Sequence, residues 1–275
     1  MKMDKKVVVV SGASSGIGLA IASSLGDLGH SVFAGARQAE DISRLSSLKN
    51  VQGVRLDITA TDDILALANR IEAGVGYVDA LVNNAGIPGW GAVMDRDLEY
   101  FRKIMNVNLF GHIQMVQTFY PLLRKSASSP IIINMSSQAG NYAFPFWSPY
   151  HMSKWALEAF SDSLRRELLP LGIRVIVVQP GAFVSKAFHK QYGEFEAYKV
   201  GRPSEFSSRA IRFLEAAFSS HSRKDKDPQL VVDTVQHAIF NENNRPYYQP
   251  GRRLIPDVLV ACLPRKLVDQ FLLRF

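Results

Sequence analysis

Six short apolar runs recur along the chain, at Lys6–Val10, Ser31–Ala36, Val51–Leu56, Ala80–Asn83, Ile131–Met135 and Arg174–Gln179. They are apolar almost throughout, not at alternate positions, which is the pattern of strands covered on both faces. Between them, apolar residues return at helical spacing near 17–28, 38–48, 61–75, 97–125 and 152–169. Strands alternating with helices imply βαβ units and a parallel sheet. Right-handed crossovers then place helices on both faces. The predicted fold is an α/β, doubly wound parallel sheet of about seven strands in a single domain, 1–275. After Pro180-Gly181 the rhythm changes: 182–226 mixes aromatics with charges, a helix is predicted over 228–241, and 245–275 reads as a Pro-interrupted basic and apolar tail.

Composition narrows the class. Hydrophobic residues make up 47% of the 275, enough for a sizeable core. Cys262 is the one cysteine, so no intramolecular disulfide forms, and a reducing, cytoplasmic compartment fits. Of the net charge of +7, four units come from 244–275, where Arg245, Arg252, Arg253, Arg265, Lys266 and Arg274 face only Asp257 and Asp269. No block of five or six like charges appears, so nucleic acid is not an expected partner. Lys2, Lys5, Lys6 and the four valines after them resemble the start of a signal peptide, but the apolar run is too short for one. No stretch reaches the roughly 18 apolar residues of a membrane span. In the tail, Leu254, Val258, Leu259, Leu263, Leu267, Val268, Phe271 and Leu272 recur at roughly helical spacing. They point to docking on the rest of the fold or on a second subunit, with membrane-surface association as the other reading.

The first predicted strand runs into Ser11-Gly12-Ala13-Ser14-Ser15-Gly16-Ile17-Gly18 and then into a helix. The glycines are spaced 4 and 2 apart, unlike the commonest dinucleotide fingerprint, yet the physics is shared. Glycine tolerates positive φ and lets backbone approach a pyrophosphate, and the helix N-terminus offers free N–H groups to the anion. A carboxylate ending strand two would bind a ribose 2′-OH and select NAD(H). Strand two instead ends Ala34-Gly35-Ala36-Arg37. A guanidinium can clamp a 2′-phosphate bidentately, so NADP(H) is favoured, with the Ser14 hydroxyl directed to the same phosphate.

Tyr150 and Lys154 lie four apart near the start of a long helical pattern and so share one face. A free phenol has a pKa of about 10. A neighbouring ammonium favours the phenolate, and a phenol tuned in this way can exchange a proton with a carbonyl oxygen.

The order of motifs resembles the short-chain dehydrogenase/reductase family in its single-domain, Rossmann-type form, over about residues 5–185. The Ser11–Gly18 loop is followed by Asp57, Asn83-Asn84-Ala85-Gly86, Asn106-Val107-Asn108, Ser136-Ser137, Tyr150-x-x-x-Lys154 and Pro180-Gly181. The resemblance implies a catalytic tetrad of Asn108, Ser137, Tyr150 and Lys154. Tyr150 would be the acid/base, and Lys154 would lower its pKa and hold the nicotinamide ribose. Ser137, 13 residues before Tyr150, would bind the substrate oxygen. Asn108, 25 residues after Asn83, would hold a relay water. Asp57 would meet the adenine amino group. Gly12, Ser15, Gly16, Ile17, Gly18, Asn83, Ala85, Gly86, Pro180, Gly181 and Ser185 would complete the cofactor site. Ser11 and Ser185 stand where threonine is more usual in the family. Ser15 stands where some NADP-preferring members carry a base, which leaves Arg37 to carry the preference.

The resemblance also makes 183–226 a substrate lid and 245–275 a C-terminal extension. Trp90, Ser137, Phe144, Trp147, Phe183 and Phe188 are the expected substrate contacts, and their rings describe a lipophilic site for a bulky ketone or secondary alcohol. The stretch Phe160–Leu168 is similar to the steroid- and retinoid-converting branch. His112, His151 and His189 lack partners at ligand spacing, so no metal is expected. A 3-oxoacyl-thioester reductase is the alternative enzyme, and a non-catalytic NADP(H)-binding regulator is the alternative of another class. Family members are commonly homodimers or homotetramers.

Overall fold

The computed structural model describes residues 4–181, 195–196, 198–200, 204–222, 228–251 and 263–272. The elements run β1 (Val7–Val10), α1 (Gly16–Asp27), β2 (Ser31–Ala36), α2 (Ala39–Ser46), β3 (Val51–Arg55), α3 (Thr61–Gly74), β4 (Ala80–Asn83), α4 (Leu98–Met105), α5 (Gly111–Arg124), β5 (Ile131–Met135), α6 (Ser148–Leu168), β6 (Arg174–Val178), α7 (Ser207–Ser222), α8 (Gln229–Phe240), β7 (Tyr247–Tyr248) and α9 (Arg265–Leu272). All seven strands form one parallel sheet in the order β3-β2-β1-β4-β5-β6-β7. The order reverses between β1 and β4, where an open α/β sheet leaves a crevice at the carboxyl ends of its strands.

The four valines of β1 show why the runs are continuously apolar. Val8 and Val10 enter one core with Ile21, Leu25, Val231 and Val235, from α1 and α8. Val7 and Val9 enter the other with Ile64, Leu67, Phe119 and Leu164, from α3, α5 and α6. Successive strand side chains point to opposite faces, and helices cover both.

Three findings depart from the sequence pattern. The helix predicted over 97–125 is interrupted by a π turn at Asn106–Phe110, closed by Gly111 N–H donating to the Asn106 carbonyl. The predicted lid carries a 16-residue helix, α7. The seventh strand is only Tyr247–Tyr248, at the sheet edge. In the tail, Leu254, Val258 and Leu259 lie outside the described residues, while Leu263 and Leu267 are exposed. No helix among the described residues is long and apolar enough to cross a membrane.

Asp79, at the entry to β4, pins the amino ends of the central strands. Its carboxylate accepts from Val7 N–H at 2.7 Å and from the Ser126 and Ser128 hydroxyls at 2.6 and 2.7 Å. Each hydrogen bond to a charged group contributes about 1.5–3 kcal/mol, and a buried N–H left unpaired adds a cost. Asp79→Ala should therefore lower unfolding free energy in urea by about 3 kcal/mol. A loss below about 1 kcal/mol would show that water replaces the carboxylate.

Candidate active site

The loop after β1 and the turn after β4 are built as one unit. Ser11 Oγ accepts from Asn84 N–H at 3.0 Å and Ala85 N–H at 3.1 Å. The Asn84 amide returns donors to the Ser11 and Gly12 carbonyls at 3.0 and 3.1 Å. The hydroxyl expected to matter at position 11 thus joins two loops. Gly12, at φ 65°, lies so near that an added Cβ would meet Ala85 Cα at 2.7 Å. On Gly18, a Cβ would meet the Gly12 carbonyl oxygen and Asn84 Nδ2, each at 2.4 Å. Gly16 also has positive φ, at 57°.

α1 begins just beyond this loop. Ser15 makes no side-chain cap, and the first turn carries no acidic residue. Those N–H groups and the helix dipole fit an anion such as a pyrophosphate. Ser14 and Ile17 are both partly exposed beside them. Past β2, Arg37 is exposed, with Nη1 3.9 Å from Asp57 Oδ2. Asp57 Oδ1 accepts from Thr59 N–H at 3.0 Å and its hydroxyl at 2.7 Å. Burial acts to raise that carboxyl, but the Thr59 bonds, Arg37 and Arg55 together hold it below its ordinary value. A second guanidinium, Arg44, donates to the Ser14 carbonyl.

Asn83, which the resemblance implied would stabilise the sheet and border the cofactor, has its side chain inside the sheet. Its amide donates to Asn134 Oδ1 at 3.0 Å, Asn134 donates to Ser161 Oγ at 2.8 Å, and Ser161 donates to the Leu157 carbonyl at 2.6 Å. This polar thread locks β4 and β5 to α6. Gly86 lies at the centre of the site, where an added Cβ would be 3.5 Å from Asn108 Oδ1 and 3.8 Å from Lys154 Nζ. Pro180 is buried and Gly181 packs against Gly251 and Gln138. Ser185 lies outside the described residues.

The structure brings Asn108, Ser137, Tyr150 and Lys154 together at the carboxyl ends of β4 and β5. Asn108 sits in the π turn, fully buried, donating to the Ile87 carbonyl at 2.8 Å and to Ser153 Oγ at 3.0 Å while accepting from Ile87 N–H at 2.8 Å. Ser137 Oγ accepts from Ala139 N–H at 3.2 Å. Lys154 Nζ donates to the Met135 carbonyl at 2.8 Å and stands 5.8 Å from the Tyr150 ring centre. Burial pushes the Lys154 pKa down to about 8, against the raising effect of the Glu158 carboxylate. Burial likewise raises the Tyr150 phenol, opposed by the Ser137 hydroxyl. The expected lowering of Tyr150 by Lys154 is therefore not what the chain alone produces, because burial dominates.

Two histidines of the region are structural. His112 Nε2 lies 2.7 Å from the Ala85 carbonyl, and its pKa falls to about 3 through burial first and the Lys154 charge second. His151 Nδ1 lies 2.8 Å from the Ala139 carbonyl, while Nε2 accepts from Phe144 N–H at 3.2 Å. Its neutral ring shapes the loop between Ser137 and Tyr150. His189 is outside the described residues.

The expected substrate contacts divide. Phe144 projects toward α7, with ring centres 6.5 Å apart at Phe213 and 6.0 Å at His151. Trp90 corrects the expectation of an exposed wall: it has no accessible surface and packs on Phe195 and Tyr198 at 5.6 and 5.5 Å. Gly91, at φ 118°, turns the chain there, and the Arg96 guanidinium covers the ring at 4.7 Å. Trp147 packs partly buried against the same cluster. These two tryptophans anchor Phe195, Tyr198 and α7 to the body. Phe183 and Phe188 lie outside the described residues. Sequence reasoning missed Asn84, Asn134, Ser153, Ser161 and Glu158, although the last three fall on the Tyr150–Lys154 side of α6 at spacings of three and four.

Comparison with known proteins agrees with this geometry. The family model described as short chain dehydrogenase matches residues 6–194. The chain is 35% identical to mitochondrial D-beta-hydroxybutyrate dehydrogenase of Rattus norvegicus, covering 89% of this chain and 76% of that protein. It is 29% identical to estradiol 17-beta-dehydrogenase 2 of Mus musculus, covering 98% and 74%. Among solved structures, a short chain dehydrogenase from Burkholderia cenocepacia in complex with NADP has a TM-score of 0.74 at 26% identity, covering 99% of both chains. A Burkholderia phymatum short chain dehydrogenase/reductase in complex with NAD has a TM-score of 0.80 at 24% identity, covering 98% of this chain and 96% of that one, a likeness of fold.

Positive φ costs a non-glycine residue roughly 1–2 kcal/mol, and Gly12→Ala adds the contact with Ala85. Gly29 also has positive φ, at 93°, but an added Cβ there meets nothing within 4 Å. Gly12→Ala should lose more stability in urea than Gly29→Ala and should weaken binding of the nicotinamide dinucleotide, NADPH or NADH, at least tenfold by isothermal titration. Equal effects from the two variants would refute the close approach of the loops.

Proposed function

Because the chain belongs to the short-chain dehydrogenase family, and is thus an oxidoreductase of hydroxyl and carbonyl groups that uses a nicotinamide dinucleotide, we propose that it is NADP(H)-dependent and reduces an apolar ketone or aldehyde to the alcohol, or runs the reverse. The observation that carries the reading is the gathering of Tyr150, Ser137 and Lys154 at the carboxyl ends of β4 and β5. Bound at that edge, the dinucleotide supplies or accepts the hydride. The Gly12–Gly18 loop and the uncapped start of α1 would hold its pyrophosphate, and Lys154 would hold its nicotinamide ribose.

Ser137 and Tyr150 receive the carbonyl oxygen between them. A phenol whose pKa is raised stays protonated at neutral pH, so Tyr150 is set to give its proton to the oxygen as the carbon is reduced. In the reverse direction the phenolate takes the proton from the alcohol. Both N–H groups of the Asn108 amide are taken by Ile87 and Ser153, and its oxygen accepts from Ile87 N–H, which leaves one acceptor site on Oδ1 for a relay water.

Arg37 supports NADP(H), since its guanidinium is exposed beyond β2 and no carboxylate ends that strand. Phe144, Phe146 and Phe213 support an apolar substrate. The names of the relatives include both a hydroxybutyrate and an estradiol, so they do not choose its size. Exposed Phe110, Met152 and Trp155, on α6 and the preceding π turn, support a homodimer or homotetramer.

The test is NADPH consumption with a panel of apolar ketones and 3-oxoacyl thioesters. Turnover of ketones supports the reading. Turnover of thioesters alone reassigns the substrate, and tight NADPH binding without turnover on either reassigns the protein as a regulator. Tyr150→Phe should cut kcat by roughly 10²–10⁴ while leaving the NADPH Kd within about threefold; near-normal kcat would remove Tyr150 from the mechanism. Loss of a charge-assisted phosphate contact is worth about 1.5–3 kcal/mol, so Arg37→Asp should shift the NADPH-to-NADH ratio of kcat/KM by about 10- to 100-fold toward NADH. An unchanged ratio would mean that another group reads the phosphate.

A further inference from the structure

Behind Lys154 the site continues. Tyr150, Lys154 and Glu158 stand at successive i, i+4 positions of α6 and form one stripe. Glu158 is largely covered, and its Oε1 is buried without a hydrogen-bond partner. Its position is fixed by Gly140, where an added Cβ would come within 3.0 Å of Glu158 Oε1 and 3.2 Å of Ser136 Oγ. Ser136 lies between Met135, whose carbonyl holds Lys154, and Ser137. The rest of Glu158 borders a cavity of about 970 Å³ on the side of β7, lined also by Asp162, Gln179 and Tyr247.

A carboxylate whose Oε1 is buried without a close partner is costly unless nearby polar groups and a compensating charge support it. Lys154 is the cation on its own stripe. We propose that Glu158 is a positioning residue for Lys154, a carboxylate set behind the ammonium that keeps it charged and anchored on the Met135 carbonyl. The interaction is reciprocal: Glu158 raises the Lys154 pKa against burial, and Lys154 lowers that of Glu158, which burial raises and Ser136 and Gln179 also lower. The other ionisable groups around the pair do not replace Glu158. Tyr150 is a buried phenol, and His112 is neutral above about pH 3. Asp162 is engaged by Arg165, Arg166 and Tyr247. Arg245, at the cavity rim, has the wrong sign. At a Lys154 pKa of about 8, a drop of half a unit lowers the charged fraction at pH 7 from about nine-tenths to about three-quarters.

The inference rests on the reading of Lys154 as the site cation, but its test needs no substrate. Protein carrying ¹³C-labelled lysine is titrated by NMR, with the Lys154 signal assigned by its absence in Lys154→Arg. The unaltered chain should titrate near pH 8. Glu158→Gln, of the same shape and neutral, should titrate at least half a pH unit lower, about a threefold change in the charged fraction on the descending limb. Glu158→Asp should stay near the unaltered midpoint. A Gln variant at the unaltered midpoint, or an Asp variant displaced as far as Gln, overturns the proposal. If Glu158→Gln fails to fold, Glu158→Met supplies the neutral side chain and is held to the same outcomes. Failure here leaves the ketone assay and Tyr150→Phe untouched, and failure of those leaves the titration standing.

Discussion

Lys154 donates to the Met135 carbonyl at 2.8 Å from a position that leaves 4% of the residue exposed. An ammonium taken out of water costs several kcal/mol unless it is paired and hydrogen-bonded, so its surroundings have to answer that cost. β5 ends at the carbonyl that receives it, α6 carries it one turn beyond Tyr150, and Glu158 follows one turn later. Gly86 and Gly140 keep the adjoining space free of side chains. The same burial moves both titrating groups of the site, the ammonium down and the phenol up.

The parallel sheet makes this arrangement possible. Strands β1 to β6 each contribute to a core on both faces, so their ends are where polar chemistry is presented. The carboxyl ends of β1 and β4 are joined through Ser11, Asn84 and the close approach of Gly12 to Ala85. Those of β4 and β5 are joined to α6 through Asn83, Asn134 and Ser161. The glycine-rich loop after β1 and the residues around Tyr150 and Lys154 therefore belong to one edge of the sheet, their separation set by these bonds.

Much of this was legible from residue order. The six strongest strands and the glycine-rich loop appear where the sequence pattern places them, and the four residues that the family resemblance implied lie close together. Less legible was everything that depends on which side chains meet across the fold. Trp90 reads as a loop aromatic ready for a ligand, but Gly91 and Arg96 turn it into a buried anchor. Asn108 reads as a free polar group, yet both its amide N–H groups are taken by Ile87 and Ser153. Helical periodicity cannot reveal a π turn, because one extra residue scarcely disturbs an apolar stripe.

By itself, the sequence determined the sheet's parallel character, the glycine-rich turn at the start of α1 and the shared face of Tyr150 and Lys154. These follow from local conformational preference and from periodicities of two and 3.6 residues, which neighbours along the chain carry. The tertiary structure alone decided the protonation tendencies and the partner of each buried polar atom. Desolvation and electrostatic coupling depend on distances between residues far apart in sequence, and no local pattern encodes those distances.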